Sequence, residues 1–248
     1  MKITSSCFAV IGFGYVPPWI VNAGFIVGNE KTLIVDTGPS YISAMTLHGY
    51  AQNVRPANQL IVLNTEKHLD HIAGNCFFRE KHIDVYGNES FNRTKAELDD
   101  DINEWNNSIL NAKRKSLHEE KIFFEKTEIA NPNKILKDGD VFELGDVETK
   151  IISTPGHTKT NVSVLVEEEK VLYCGDCIVN KYLPNLEAGN VDDWKMWLTS
   201  LERVSNLDLD FVVPGHGNVI KGSEIQIEIE RIALVLESAI TSGKPPSA

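Results

Sequence analysis

The sequence predicts an α+β fold in which two β-sheets pack face to face with helices on both outer sides, a four-layer αββα sandwich. Short runs rich in β-branched and aromatic residues recur along the chain and are broken by glycine and proline. They form two series, and each series is followed by segments with helical spacing. Sheets bury their apolar faces against each other, so the helices are expected outside. A length of 248 residues fits one domain spanning residues 1–248.

The first series of predicted strands occupies about the first third of the chain. Residues 12–19 are rich in glycine and proline, so they are expected to form the tip of a hairpin between the first two strands. The predicted strands are residues 2–11, 21–27, 32–36, 59–63 and 83–86.

A helical insertion is predicted at about 91–125, where apolar residues recur three or four positions apart among polar ones. Three roles stay open for this insertion: simple packing on the sandwich, a lid over the site, and the contact of a homodimer. The apolar positions are Leu98, Ile102, Trp105 and Ile109.

The second series of strands begins after the turn at 131–133 and covers 140–144, 147–152, 161–166 and 170–174. A helix is predicted around 191–205, followed by an apolar run at 211–213 that looks buried. The chain closes with an amphipathic helix over 223–240, whose apolar stripe contains Ile225, Ile229, Ile232 and Leu236.

Composition narrows the range of partners. Lys and Arg number 24 against 35 Asp and Glu, which gives a formal net charge of −11 and disfavours a nucleic-acid surface. Glycines and prolines interrupt the apolar N-terminal stretch before a signal peptide or membrane span would form. We therefore expect a cytoplasmic protein that binds neither nucleic acid nor membrane.

The four cysteines are too few and too scattered for a disulfide framework. Cys174 and Cys177 form a C-x-x-C pair, but no second pair completes a zinc knuckle. A structural role is therefore favoured over redox chemistry for these two cysteines.

The most informative segment is residues 64–71, directly after the apolar strand at 59–63. It places Glu66, His68, Asp70 and His71 within six positions. In extended geometry alternate side chains project the same way, so the first three are expected to converge while His71 turns to the other side. A hydrophobic core does not normally contain four potential metal ligands together at the end of a strand, so this segment is a candidate site.

Three further polar residues stand in glycine-marked turns after apolar runs. They are His157 in Thr-Pro-Gly-His, Asp176 in Cys-Gly-Asp-Cys and His216 in Pro-Gly-His-Gly. Turns on a rigid scaffold commonly present functional groups. Each alone fits an ordinary turn, but together with the cluster at 66–71 they indicate a metal site.

These motifs resemble those of the metallo-β-lactamase superfamily, which has the form H-x-H-x-D-H, then a His after P-G, an Asp in G-D and a His in G-H. The resemblance runs from about residue 20 to about 220 and implies the metallo-β-lactamase-like αββα sandwich with a dinuclear metal centre. It implies that Glu66, His68 and His157 hold one metal, that Asp70, His71 and His216 hold the other, and that Asp176 bridges them.

The sequence departs from the family at the first ligand, where Glu66 replaces a histidine. A carboxylate also binds zinc, but it is a harder, negatively charged ligand. Two Zn²⁺ ions are the first expectation, and iron or manganese becomes more competitive because of Glu66. The alternative is that Glu66 is a solvated loop carboxylate that binds no metal.

The resemblance implies an enzyme, a metal-dependent hydrolase in which metal-bound hydroxide cleaves an ester, thioester, lactone or β-lactam-type amide bond. Asp70 and Asp176 would orient this hydroxide as catalytic residues. One alternative is a di-iron or redox-type metalloprotein of the same fold acting on a small oxidisable substrate. Another is a metal-free binding module.

Candidate substrate contacts also follow from the resemblance. Trp19, in the hairpin tip at 12–19, stands where lactamases carry a flap over the metals. Lys181 and Asn190 lie in a stretch that looks like the loop with which lactamases bind the substrate carboxylate.

Overall fold

Two six-stranded sheets form the centre of the computed structural model, which describes residues 1–14, 20–88, 91, 93–110, 127–186 and 189–245, with the side chains of 102 and 104–110 excepted. The first sheet has the strand order β1-β2-β3-β4-β5-β6. Its strands are Cys7–Phe13 (β1), Val21–Val27 (β2), Lys31–Val35 (β3), Gln59–Leu63 (β4), Val85–Asn88 (β5) and Lys134–Leu136 (β6).

Strands β1, β2 and β3 of the first sheet pair antiparallel, whereas β3, β4, β5 and β6 run parallel. The carboxyl ends of β3 and β4 therefore meet at one edge of the sheet. The loops that follow these two strands emerge side by side.

The second sheet has the order β12-β11-β10-β9-β8-β7. Only β10 and β11 pair in parallel among its described strands, so their carboxyl ends also meet at one edge. The strands are Val141–Glu143 (β7), Glu148–Ser153 (β8), Val162–Val166 (β9), Val171–Tyr173 (β10), Phe211–Val213 (β11) and Ile220–Lys221 (β12).

Six α-helices accompany the sheets in the described ranges. They are Tyr41–Val54 (α1), Leu69–Ile72 (α2), Asn75–Glu80 (α3), Lys95–Leu110 (α4), Val191–Ser205 (α5) and Ser223–Ser242 (α6). A short 3-10 helix spans Gly175–Cys177. Capping boxes fix the starts of α1, through Ser40 and Ser43, and of α5, through Asn190 and Asp193. None of these helices combines the length and the apolar composition needed to span a bilayer.

Three buried layers hold the sandwich together. Between the sheets, β-branched and leucine side chains such as Leu33 and Val35 meet Val164 and Val171 of the other sheet. A second core lies between the first sheet and helices α1 and α3, and a third lies between the second sheet and helices α5 and α6. The predicted four-layer αββα sandwich is confirmed.

Several boundaries differ from the sequence prediction. The first strand begins at Cys7 instead of residue 2, because residues 4–6 form a bend in which the Thr4 and Ser5 hydroxyls donate hydrogen bonds to the Glu169 carboxylate. Lys2 pairs with Phe8 of β1 through an isolated bridge. Helix α1 and the short strands β6 and β12 were not predicted.

The predicted insertion at 91–125 is helical over α4, and residues 111–125 of it lie outside the described residues. Leu98 of α4 packs against a small buried cluster that contains Ile72, Phe91 and Ile129. This contact supports packing on the sandwich, while the lid and the homodimer contact stay predictions.

Candidate metal centre

Seven polar side chains meet at one edge of the sandwich, where strands of both sheets end. Glu66 follows β4, and α2 begins three residues later. The others outside this segment follow β8, β10 and β11 across the interface between the sheets. The structure therefore brings together all the predicted ligands: Glu66, His68, Asp70, His71, His157, Asp176 and His216.

The geometry of residues 66–71 differs from the extended segment that the sequence suggested. Residues 69–72 form the single-turn helix α2, so side chains do not alternate there. His71 does not turn to the other side as predicted; its Nε2 atom lies 3.4 Å from Glu66 Oε1. The helical turn thus directs Asp70 and His71 into the same cluster as Glu66.

The first group of potential ligands comprises Glu66, His68 and His157, whose ligand atoms all lie within 4.8 Å of one another. His68 Nδ1 is 2.9 Å from Glu66 Oε1 and 3.0 Å from His157 Nε2. Glu66 is fully buried, whereas the His68 side chain is 33% exposed. This group therefore has one solvent-facing member.

The second group comprises Asp70, His71 and His216, again with ligand atoms within 4.8 Å of one another. His216 Nε2 lies 3.3 Å from Asp70 Oδ2, and His71 Nε2 lies 3.9 Å from the same oxygen. All three are largely withdrawn from solvent.

Asp176 lies between the two groups. Its Oδ1 atom is 3.3 Å from His71 Nε2, and its Oδ2 atom is 3.3 Å from both His157 Nε2 and His216 Nε2. Gly215 makes this placement feasible, because a Cβ atom there would stand 1.9 Å from Asp176 Oδ1. Any larger residue before His216 would thus clash with Asp176, which explains the glycine at this position.

Two hydrogen bonds fix which ring nitrogen each of two histidines turns toward the cluster. His71 Nδ1 donates to Asp36 Oδ2 at 2.9 Å, and His216 Nδ1 donates to the Ile20 carbonyl at 2.5 Å. Each bond leaves Nε2 without a proton in the neutral ring, which is the form that binds a cation.

Asp36 is a site residue that the sequence analysis missed. It follows β3, is 3% exposed and accepts hydrogen bonds from the Thr65 amide and hydroxyl, both at 2.7 Å, in addition to that from His71. A carboxylate directly after the apolar run 33–35 was the available signal. A single acidic residue after a strand is common in turns, so this pattern alone does not predict a site residue.

The carboxylates and imidazoles shift one another's protonation. Burial raises the pKa of Asp176, but His216, His71 and His157 outweigh burial and hold that pKa well below its ordinary value. Opposing burial in the same way, His68 and His71 lower the pKa of Glu66 to about 2. Burial lowers the pKa of His157, which favours its neutral, cation-binding form. The cluster is therefore rich in ionised carboxylates.

The polar atoms of the cluster fit a divalent cation. Within the described part of the chain, Glu66 Oε2, His71 Nε2 and Asp176 Oδ1 are buried without a hydrogen-bond partner. Buried polar atoms are otherwise nearly always paired, so three orphans facing one another need an additional partner. Imidazole nitrogen and carboxylate oxygen are ligands of zinc, iron and manganese.

The two cysteines beside Asp176 take no part in the cluster as thiolates. Cys174 and Cys177 are buried and free. Burial raises the pKa of the Cys177 thiol to about 12 and that of Cys174 well above its ordinary value. These thiols stay protonated at neutral pH, which agrees with the structural role favoured from the sequence.

The three predicted substrate contacts stay predictions. Trp19 lies outside the described residues. Lys181 is exposed in a turn at φ 64°, next to Tyr182, whose ring centroid is 6.2 Å from that of His216. The Asn190 side chain accepts a hydrogen bond from the Asp192 amide and caps α5. This capping role accounts for the asparagine at position 190 without a substrate contact.

Comparison with known sequences gives a consistent result. Residues 16–216 match the sequence model of the metallo-beta-lactamase superfamily. The chain is 28% identical over 194 residues to "Beta-lactamase-like protein 2 homolog" of Caenorhabditis elegans. This alignment covers 77% of this chain and 53% of that protein. It is 24% identical over 206 residues to "Acyl-coenzyme A thioesterase MBLAC2" of Gallus gallus, covering 80% of this chain and 73% of that protein. The chain thus spans about half the length of the Caenorhabditis elegans protein, which is 53% covered, and more of the Gallus gallus protein, which is 73% covered.

Comparison with solved structures supports the fold. A metallo-beta-lactamase family protein from Thermus thermophilus superposes with a TM-score of 0.70 at 22% sequence identity. The alignment covers 94% of this chain and 81% of that one.

Proposed function

This chain belongs to the metallo-beta-lactamase superfamily, and we propose that it is a metal-dependent hydrolase that cleaves a thioester or a related acyl bond in a small molecule. One observation carries the proposal: seven ligand-type side chains from both sheets converge, with orphaned buried atoms facing one another. Buried carboxylates need cationic partners, which the protonated His216 supplies in the metal-free protein and a bound cation would supply in its place.

We assign the ligands as the two groups suggest. Glu66, His68 and His157 would hold one cation, Asp70, His71 and His216 the other, and Asp176 would contact both. When bound, such cations lower the pKa of water and polarise a carbonyl oxygen. Zinc is the first expectation for the metal because imidazoles form most of the donor set.

The residues of the chain supply orientation. Asp70 Oδ2 and Asp176 Oδ2 each lie 3.3 Å from His216 Nε2. The low pKa of Asp176 keeps this group an acceptor, so it can hold the proton of an attacking water toward itself. Asp36 keeps the His71 ring in the correct tautomer.

A thioester is the first substrate class to test. The Gallus gallus relative is named as an acyl-coenzyme A thioesterase and aligns over 80% of this chain. Esters, lactones and β-lactams remain in the proposal because they pass through the same kind of tetrahedral transition state. The formal charge of −11 favours a small molecule over nucleic acid.

The test combines metal analysis with a substrate panel. Elemental analysis of the purified protein is expected to show about two divalent cations per chain. An acyl-coenzyme A, a p-nitrophenyl ester, a lactone and nitrocefin are then compared at equal concentration, with a thiol reagent detecting released coenzyme A. Turnover of the acyl-coenzyme A that is lost in H71A supports the proposal. A metal-replete protein that turns over none of the four substrates would contradict it.

Glu66 gives specific support to a second candidate function, a di-iron or redox-type protein acting on a small oxidisable substrate. A buried carboxylate in place of an imidazole makes the first group harder and favours iron. Iron in the purified protein, with a visible absorption band and no hydrolysis, would support this candidate over the hydrolase.

A further inference from the structure

One face of helix α5 lies against the loop that carries His157. Trp197, Ser200 and Arg203 are spaced three residues apart, so they share this face. Ser200 Oγ donates to the Pro155 carbonyl at 2.6 Å, and Arg203 Nη1 donates to the Ser153 carbonyl at 3.1 Å. The end of β8 and the loop before His157 are therefore each held at one backbone carbonyl.

Trp197 adds contacts to two ligand-bearing segments at once. Its ring lies edge-on to His157, with 5.3 Å between ring centroids and 63° between planes. Its Nε1 atom donates to the Cys177 carbonyl at 2.8 Å, in the 3-10 turn that carries Asp176. Gly156 lets the loop approach, since a Cβ atom there would stand 2.3 Å from the Trp197 backbone.

The segments that Trp197 joins are separated within the sheet. His157 follows β8 and Asp176 follows β10, while β9 lies between these strands. Among the described strands, β8 and β10 each pair with β9 and not with each other. The Trp197 indole contacts both segments, so it helps to set the 3.3 Å distance between His157 Nε2 and Asp176 Oδ2.

Trp194 lies in the same helix and the same core, and it serves as a comparison for Trp197. It is 3% exposed, against 1% for Trp197. Its Nε1 atom donates to the Leu186 carbonyl at 3.3 Å, in a loop that carries none of the seven ligands. Burial and an indole hydrogen bond are thus common to both, but the N–H of Trp197 donates to a ligand-bearing segment and that of Trp194 does not.

We propose that Trp197 is a positioning residue of the metal centre that fixes His157 and Asp176 relative to each other, with Ser200 steadying the same loop. The inference rests on the proposed function, because it assumes that these two side chains hold a cation. It predicts that loss of the Trp197 N–H weakens the cation position of Glu66, His68 and His157 more than the position of Asp70, His71 and His216.

The experiment compares W197F with W194F in the full chain. Each substitution removes one indole N–H from the same helix and core. Metal-free proteins are titrated with Zn²⁺ in competition with a chromophoric chelator, and thermal melts are recorded without metal. We expect both variants to melt at similarly lowered temperatures, while only W197F binds one of the two Zn²⁺ ions about 10-fold or more less tightly. With the acyl-coenzyme A substrate, kcat should fall in W197F while KM stays close to wild type.

S200A provides a second variant that removes a hydroxyl with little change in volume. Its control is S205A, because Ser205 Oγ donates to the Glu202 carbonyl on the exposed side of the same helix. S200A should weaken Zn²⁺ binding in the same direction as W197F by a smaller factor, and S205A should not. If W197F fails to fold, this pair still tests whether α5 holds the His157 loop in place. Zn²⁺ binding in S200A equal to that in S205A would then overturn the inference.

Each outcome separates the inference from the proposed function. Zn²⁺ binding in W197F equal to wild type, or equally weakened in W194F, would overturn the positioning role and leave the hydrolase proposal standing. Wild-type protein that binds no Zn²⁺, iron or manganese would overturn both.

Discussion

Asp36 offers the sharpest single test of the centre, through the substitution D36N. The carboxylate accepts three hydrogen bonds: Oδ1 from the Thr65 amide, and Oδ2 from the Thr65 hydroxyl and His71 Nδ1. An asparagine amide placed at Oδ1 would oppose the Thr65 N–H. Placed at Oδ2 it would donate to His71 Nδ1 and drive the ring proton onto Nε2, the atom that faces the cluster.

The expected magnitude follows from this forced choice. Either the Asp36–Thr65 contact breaks and frees the segment carrying Glu66, or His71 is lost as a ligand. Partners that orient metal ligands typically contribute 10–100-fold in metal affinity, which is about 1.4–2.7 kcal/mol. Backbone strain does not add to the effect, because Asp36 sits at φ 62° and asparagine tolerates this region.

The assay is Zn²⁺ titration of metal-free D36N, with D193N as the matched control. Asp193 is also buried, and it accepts a backbone hydrogen bond from Asn190 at the start of α5, away from the cluster. We expect weakened Zn²⁺ binding in D36N and unchanged binding in D193N. Wild-type affinity for both cations in D36N would refute the role assigned to the Asp36–His71 hydrogen bond.

Three further predictions concern ligands and pH. H71A should lower kcat/KM more than about 100-fold and lose one cation by elemental analysis; retention of both cations would exclude His71 as a ligand. E66H should raise zinc content relative to iron and manganese when the protein is grown with all three, and an unchanged ratio would make Glu66 a bystander. A chelator should lower the melting temperature by about 5–11 °C if free metal stood at about 100 times its dissociation constant. This loss should be larger at pH 8 than at pH 6. The carboxylates of Asp176 and Asp70 outweigh burial and raise the pKa of His216 to about 11. Protonated His216 therefore stabilises the metal-free protein fully below about pH 6.5, and this contribution declines as pH rises. Metal binding, in contrast, strengthens as pH rises. A smaller loss at pH 8 would contradict this reasoning.

Most of the sandwich was predictable because buried strands have a simple signature. The runs at 21–27 and 59–63 are almost wholly apolar and coincide with β2 and β4. Helix α1 was missed because it has no continuous apolar stripe. It buries small residues such as Ser43 and Ala44 while exposing Met45 and Tyr50.

The convergence of the seven side chains was predictable, because acidic residues and histidines at strand ends are conspicuous in the sequence. Their relative geometry was not, since one helical turn in α2 changes the direction of His71. Asp36 and Trp197 act through other residues, and their contacts join positions distant in sequence. Such contacts leave no spacing pattern that a single sequence reveals.

The interface between the two sheets gives the cluster a place in the order of folding. Four of its donors come from residues 66–71 and three from residues 157–216. A growing polypeptide that has emerged only as far as β6 contains four of the seven candidate ligands. We therefore expect tight cation binding only after the second sheet has formed.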